Sequence, residues 1–167
     1  MFYTYRMDTA IILGFLSEIA YLLVVFGIMF TIAVFMGRQA IINLIIGLYL
    51  ALLISLEFPY YEQLLGHLNS GESVAAAKLA LFGLFTLITT WLSFRIMPDE
   101  FREKKIETLG KKFLLAGAAT VLVMIFSFHV LPVTEFLTPG TPIQSLFAPE
   151  QSFFWWLLLP LAILFVF

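Results

Sequence analysis

Four ionisable side chains interrupt the apolar stretches of this chain: Glu18, Glu57, Lys78 and His129. An ionisable group inside hydrocarbon costs roughly 3 kcal/mol or more unless it is paired, so such groups are the first candidates for chemistry. Two carboxylates, an ammonium and an imidazole gathered at one depth could relay protons or bind a cation or a lipid headgroup. A plainer reading stands beside this one. Each residue lies near the end of its own apolar run, where snorkelling, or pairing such as Glu57 with Lys78, would satisfy it. The sequence favours the plainer reading. His129 reads as an interfacial histidine rather than a metal ligand, because the other histidine, His67, is in a loop.

No catalytic constellation accompanies these residues. The chain has no G-x-S-x-G, no H-E-x-x-H, no Walker loop and no dinucleotide fingerprint. It lacks the mid-span charges of a proton pump or voltage sensor and the buried Asp or Ser/His pairs of an intramembrane protease. No internal repeat suggests an inverted-repeat transporter. With no cysteine there is no disulfide, thiolate metal site or thiol nucleophile. The expectation is a protein that is not an enzyme and carries no cofactor or metal.

The elements that hold these residues are apolar helices. Of the 167 residues, 62% are hydrophobic and 12% charged, against roughly 45–50% and about 25% in soluble domains. Mean hydropathy is +1.02. A chain this apolar needs lipid as solvent for much of its surface. Its net charge of −2 argues against nucleic acid as a partner. The expected partners are membrane lipid and other membrane subunits, or a second copy of the chain. Apolar runs cover about 15–36, 39–57, 75–96, 113–131 and 152–167. The first four match the ~20 residues that cross a bilayer. The first run is too long for a signal-peptide core and no cleavage site follows it, so it reads as a retained span. The fifth is short, contains Pro160 and stops at Phe167 without a polar flank, which reads as a trimmed end rather than a last helix that is tilted, shallow or capped by a partner. The expected fold is therefore all-α: a single polytopic helix bundle of four full transmembrane helices plus a short C-terminal fifth apolar helix.

Basic residues set the orientation. Six of nine Lys and Arg fall between Arg95 and Lys112, and segments 57–74 and 132–151 contain none. The excess of Lys and Arg marks cytoplasmic loops. Arg38, Arg95, Arg102, Lys104, Lys105, Lys111 and Lys112 then lie inside, with the Gly37-Arg38-Gln39 turn, and the N-terminus lies outside. Arg6 and Lys78 are the exceptions. Phe58, Tyr60, Tyr61, Trp91 and the run Phe153 to Trp156 suit headgroup depth. Segment 98–112 reads as a cytoplasmic amphipathic helix. Pro98 opens it, Glu100–Lys104 and Glu107–Lys111 pair one turn apart, and Phe101, Ile106 and Leu109 face the headgroups. It is a topology anchor rather than a dock for a soluble partner. Loop 132–151, with Pro132, Pro139-Gly140, Pro142 and Pro149, either folds back on the surface or binds something.

Small residues supply close helix contacts in lipid. The second run carries Asn43, Gly47, Ala51 and Ser55 at four-residue steps, which reads as packing rather than a pore lining. The third carries Ala76, Ala80, Gly83, Thr90 and Ser93. The fourth carries Gly110, Ala116, Gly117, Ala118, Ala119 and Thr120, and the first Ala20, Gly27 and Thr31. Together they predict a compact four-helix core.

Three stretches also resemble a known family. Asp8-Thr9-Ala10-Ile11-Ile12 before the first span, the Gly37-Arg38 turn leading into Ile41-Ile42-Asn43-Leu44-Ile45-Ile46-Gly47, and Leu109-Gly110 at the start of the fourth span are similar to the colicin V production proteins. The resemblance covers roughly residues 7–131. Here the turn reads Gly-Arg where that family has Arg-Gly, a second Arg-Gly around the fourth span is missing, and a fifth segment follows. The resemblance implies a small bacterial inner-membrane protein of four helices, linked by name to peptide-toxin production and without an established biochemical activity. The sequence favours a scaffold or accessory subunit of a membrane assembly. The alternative is a transporter or channel component using the four ionisable residues.

Overall fold

The computed structural model describes residues 2–66, 68, 70–97, 108–129, 146–147 and 150–166; for residues 2–11, 13, 72, 108, 129, 150 and 151 it describes the backbone alone. Among the described residues the chain is helical throughout, with no strand. The helices are α1 (Phe2–Phe35), α2 (Arg38–Glu57), α3 (Tyr61–Leu65), α4 (Gly71–Ile96), α5 (Thr108–His129) and α6 (Glu150–Val166). Four are long and apolar enough to cross a membrane: Gly14–Phe35, Arg38–Glu57, Ser73–Ile96 and Leu109–Phe128. A shorter apolar helix over Ser152–Val166 follows.

The helix limits extend beyond several of the apolar runs. α1 runs back to Phe2, ahead of its apolar run, because a helix's backbone hydrogen bonds do not require every residue to be apolar. α1 stops at Phe35, and Gly37 then takes φ 90°, a left-handed value that favours glycine and turns the chain into α2. α4 starts at Gly71, ahead of its apolar run, because the Ser70 hydroxyl accepts the Ser73 N–H and caps the first turn. The five-residue α3 falls where the sequence suggested only a loop. The amphipathic segment expected at 98–112 lies outside the described residues except for its last five, which open α5. Loop 132–151 likewise lies outside apart from 146–147 and the start of α6.

Two helices form the centre. Half of the spanning residues of α2 and α5 are buried (50%), against 17% in α1 and α4. α4 packs on α2, α1 packs on α5, and α2 meets α5 between them, with α6 against the far side of α5. The core contains Ile41, Ile45, Leu48, Leu115, Leu122 and Phe126.

The α2–α4 seam is the closest crossing. Asn43, Gly47, Ala51 and Ser55 are all buried, as the four-residue spacing requires. A Cβ added at Gly47 would lie 2.9 Å from the Thr90 Cα, so only glycine permits this approach. The Thr89 hydroxyl donates to the Gly47 carbonyl at 2.7 Å, tying the two backbones together. Phe58 packs edge-on against Tyr61 and tilted against Phe85 at one end of this seam.

The stripes on the other helices divide. On α5, Ala116, Ala118, Ala119 and Thr120 are buried. On α1, Ala20, Gly27 and Thr31 are exposed, and so are Ala76 and Ala80 on α4. The core draws on all four long helices, with Ala33 of α1 and Phe82 of α4 beside the more deeply buried α2 and α5. Ala20, Gly27 and Thr31 face outward because the other face of α1 packs on the core, through Tyr21, Leu22, Phe26 and Met29 beside Ala33.

Candidate functional site

The antiparallel pairing of α1 and α5 fixes the level of each polar group. The Tyr21 and Ser127 hydroxyls share a hydrogen bond of 2.8 Å near one end. Near the other, the Lys112 ammonium donates to the Val34 carbonyl at 3.5 Å. A cation there complements the unsatisfied carbonyls and negative end of α1. Arg38 opens α2, Arg95 closes α4, and Lys111 and Lys112 open α5, so these four occupy the same end of the bundle. Arg95 lies over the Trp91 ring, 5.9 Å from its centroid. Arg102, Lys104 and Lys105 fall outside the described residues.

Glu18, Glu57, Lys78 and His129 lie toward the opposite end, each on a different helix. Glu57 is exposed at the last turn of α2, and Lys78 is half-buried on α4. No ion pair joins them among the described residues, which corrects the expected Glu57–Lys78 pair. The level of Glu18 on α1 corresponds to the last residues of α5, Phe128 and His129, by stepping from the Tyr21–Ser127 and Val34–Lys112 contacts. His129 is the last residue of α5, and its side chain is outside the described set.

Glu18 departs most from expectation. It is 1% exposed, and neither carboxylate oxygen has a hydrogen-bond partner. A residue one turn inside a span was expected to snorkel. It does not: it is buried on the same face of α1 as Gly14, Val25 and Ala33. The periodicity of that face was in the sequence; the partner it would press against was not. A buried carboxylate without a partner is energetically costly and points to function or a missing counter-group.

Beside this seam runs a groove of about 640 Å³, open at the side of the bundle. Tyr21 and Ser127 form one wall, and Leu79, Ala80, Gly83 and Leu87 of α4 the other. It exists because α4 leans on α2 and leaves the α1–α5 pair free. Sequence reasoning missed it, since Ala80 and Gly83 read as contact residues. Among the described residues no group of three or more His, Cys, Asp or Glu is arranged to hold a metal ion.

α6 closes the opposite flank. Pro160 is fully buried. It has no N–H, and its ring crowds the carbonyls one turn back. The Tyr49 hydroxyl donates to the Leu157 carbonyl at 2.5 Å, joining α2 to this turn. The Trp156 ring N–H donates to the Leu146 carbonyl at 3.0 Å, and Phe147 packs between Trp156 and Phe128.

Comparison with protein-family models, with curated proteins and with solved structures returns no match to this chain.

Proposed function

We propose that this protein is a small scaffold or accessory subunit of a membrane assembly, acting through helix contacts rather than catalysis. The observation that carries this reading is the outward placement of small residues on the two flanking helices. Ala20, Gly27 and Thr31 on α1, and Ala76 and Ala80 on α4, are exposed. In lipid, such residues allow other helices to approach closely. The grouping of Arg38, Arg95, Lys111 and Lys112 supports an orientation with that end in the cytoplasm and the N-terminus outside. A bacterial inner membrane and kinship with the colicin V production proteins complete the proposal. Native electrophoresis of solubilised membranes, followed by cross-linking, tests it. The expected result is an assembly larger than the single chain; migration as a lone 167-residue chain with no cross-linked product would refute it.

A second reading, a transporter or channel component, draws support from Glu18 alone, a buried carboxylate whose oxygens have no hydrogen-bond partner. Flux in proteoliposomes, compared with Glu18→Gln, Glu57→Gln and Lys78→Met, decides it. Absent flux, or flux indifferent to all three changes, removes that reading.

A further inference from the structure

We propose that the side groove is a binding site for a neutral lipid with a free hydroxyl, of the diacylglycerol or long-chain alcohol class. Such a site goes beyond the scaffold reading and does not depend on it. Its chemistry follows from the side chains that line it. Three are polar: Tyr21, Thr86 and Ser127. The rest are apolar or glycine, among them Leu48, Leu79 and Leu87, and no charged side chain is among the described residues of the lining.

A hydroxyl has one hydrogen to donate and lone pairs with which to accept. Ser127 Oγ lies 2.8 Å from the Val123 carbonyl, which only accepts, so the Ser127 hydrogen is engaged there. In its 2.8 Å bond with the Tyr21 hydroxyl, Ser127 is therefore the acceptor and Tyr21 the donor. Thr86 donates to the Phe82 carbonyl at 2.9 Å. All three hydrogens are in use, and the lining side chains keep only acceptor lone pairs. A phosphate, carboxylate or ester carbonyl adds further acceptors and finds no donor among them. A ligand hydroxyl brings the missing hydrogen. Ser127 is 1% exposed and Tyr21 is half-buried, so the Tyr21 oxygen is the one that a ligand reaches.

Shape selects the body of the ligand. The α4 wall runs from Leu79 to Leu87, about 12 Å of helix axis. Over that length, about 640 Å³ gives roughly half the cross-section of a helix 10–12 Å across. A guest helix would stand half outside the groove, whereas hydrocarbon chains enter it whole. A Cβ built at Gly83 meets nothing within 4 Å, so the wall is open there. Position selects the polar end. Ser127 lies two residues, about 3 Å, before the end of α5 at His129. The acceptor oxygens thus sit near one end of the bundle, at the level of a lipid's head. From there the groove runs inward to Leu48, midway along α2.

Two photoreactive probes of one chain length test the site: a diazirine-bearing long-chain alcohol and its methyl ether. Both are added to phosphatidylcholine vesicles holding the full chain, and the labelled residues are mapped by mass spectrometry. The alcohol is expected to label the wall from Leu79 to Leu87 about threefold more than the ether, the factor set by one hydrogen bond in lipid. Dioleoylglycerol competes with the alcohol, and dioleoylphosphatidic acid does not. Tyr21→Phe keeps labelling by both probes and brings their ratio to one. Ser127→Ala releases the Tyr21 hydrogen toward the groove, so the ether gains on the alcohol. Gly83→Leu fills the groove and removes both labels, with helix content checked by circular dichroism. Equal labelling of the wild type by the two probes would overturn the proposal, and so would a preference that Tyr21→Phe leaves unmoved or labels confined to other faces of the bundle. Groove labelling that falls as the protein-to-lipid ratio rises would assign the groove to a second copy of the chain, and the lipid site would be lost.

Discussion

Replacing Gly47 by alanine adds one methyl group at the tightest point of the bundle. The new Cβ would stand 2.2 Å from the Thr90 hydroxyl oxygen and 2.9 Å from both the Thr90 Cα and its nitrogen. Comfortable carbon–carbon contact is 3.5–4.0 Å, so α4 must retreat by about 0.6–1.1 Å. The hydroxyl contact alone could be relieved by rotating Thr90. The two backbone contacts cannot. Retreat stretches the 2.7 Å bond from Thr89 to the Gly47 carbonyl beyond useful length. Overpacking costs about 1–3 kcal/mol and the lost interhelical bond about 0.6 kcal/mol, while alanine returns about 0.8–1.0 kcal/mol of helix propensity. The net expectation is a loss of about 0.6–2.8 kcal/mol, read as a lower midpoint of unfolding in mixed detergent micelles by tryptophan fluorescence. Gly83→Ala is the internal comparison. With open space at that Cβ it keeps the propensity gain, and its midpoint stays level or rises. Adding Thr90→Ala to Gly47→Ala should recover only part of the loss, because backbone atoms remain in the way. If Gly47→Ala matches wild type within 0.5 kcal/mol or so, an amount typical of harmless surface changes, the close crossing is not what holds α2 to α4.

Tyr21→Phe and Ser127→Ala should each cost about 0.6 kcal/mol, with a double-variant coupling of similar size, since they share one hydrogen bond; strictly additive losses would contradict that bond. Glu18→Leu should stabilise the detergent-dispersed monomer by about 1 kcal/mol or more, because it removes a buried carboxylate that has no partner. A lowered unfolding midpoint would count against that burial. Tyr49→Phe should leave the α1–α5 pair unchanged but speed amide exchange in α6, where the Leu157 carbonyl loses its donor; unchanged exchange there would mean that Tyr49 does not hold that helix. For orientation, Lys104→Cys in this cysteine-free chain should react with a membrane-impermeant maleimide only after cells are opened. Labelling of intact cells would reverse the topology.

The spans were legible because crossing a bilayer demands about 20 apolar residues, a constraint written directly into composition. The Asn43–Gly47–Ala51–Ser55 seam was legible too, since a four-residue repeat of small residues on one helix has few other uses. Partner choice was less accessible. Ala20, Gly27 and Thr31 have the same spacing as a contact stripe, yet α1 turns them outward, because lipid accepts either face and only the neighbouring helix decides between them. Glu18 shows the same limit. Its position near a span end suggested access to the interface, while the structure buries it on one face of α1 with Gly14, Val25 and Ala33. The groove had no sequence signal, because a gap is a property of how two helix pairs lean.

The pairing order also sets a timetable for insertion. α1 finds its main neighbour in α5, which leaves the ribosome only after α2 and α4 have been made. Until then the first helix waits in lipid with Glu18 uncovered, while α2 and α4 can already join. A chaperone or translocon surface that shelters α1 during that interval would speed assembly. A nascent chain halted before Thr108 would be the species most exposed to membrane quality control.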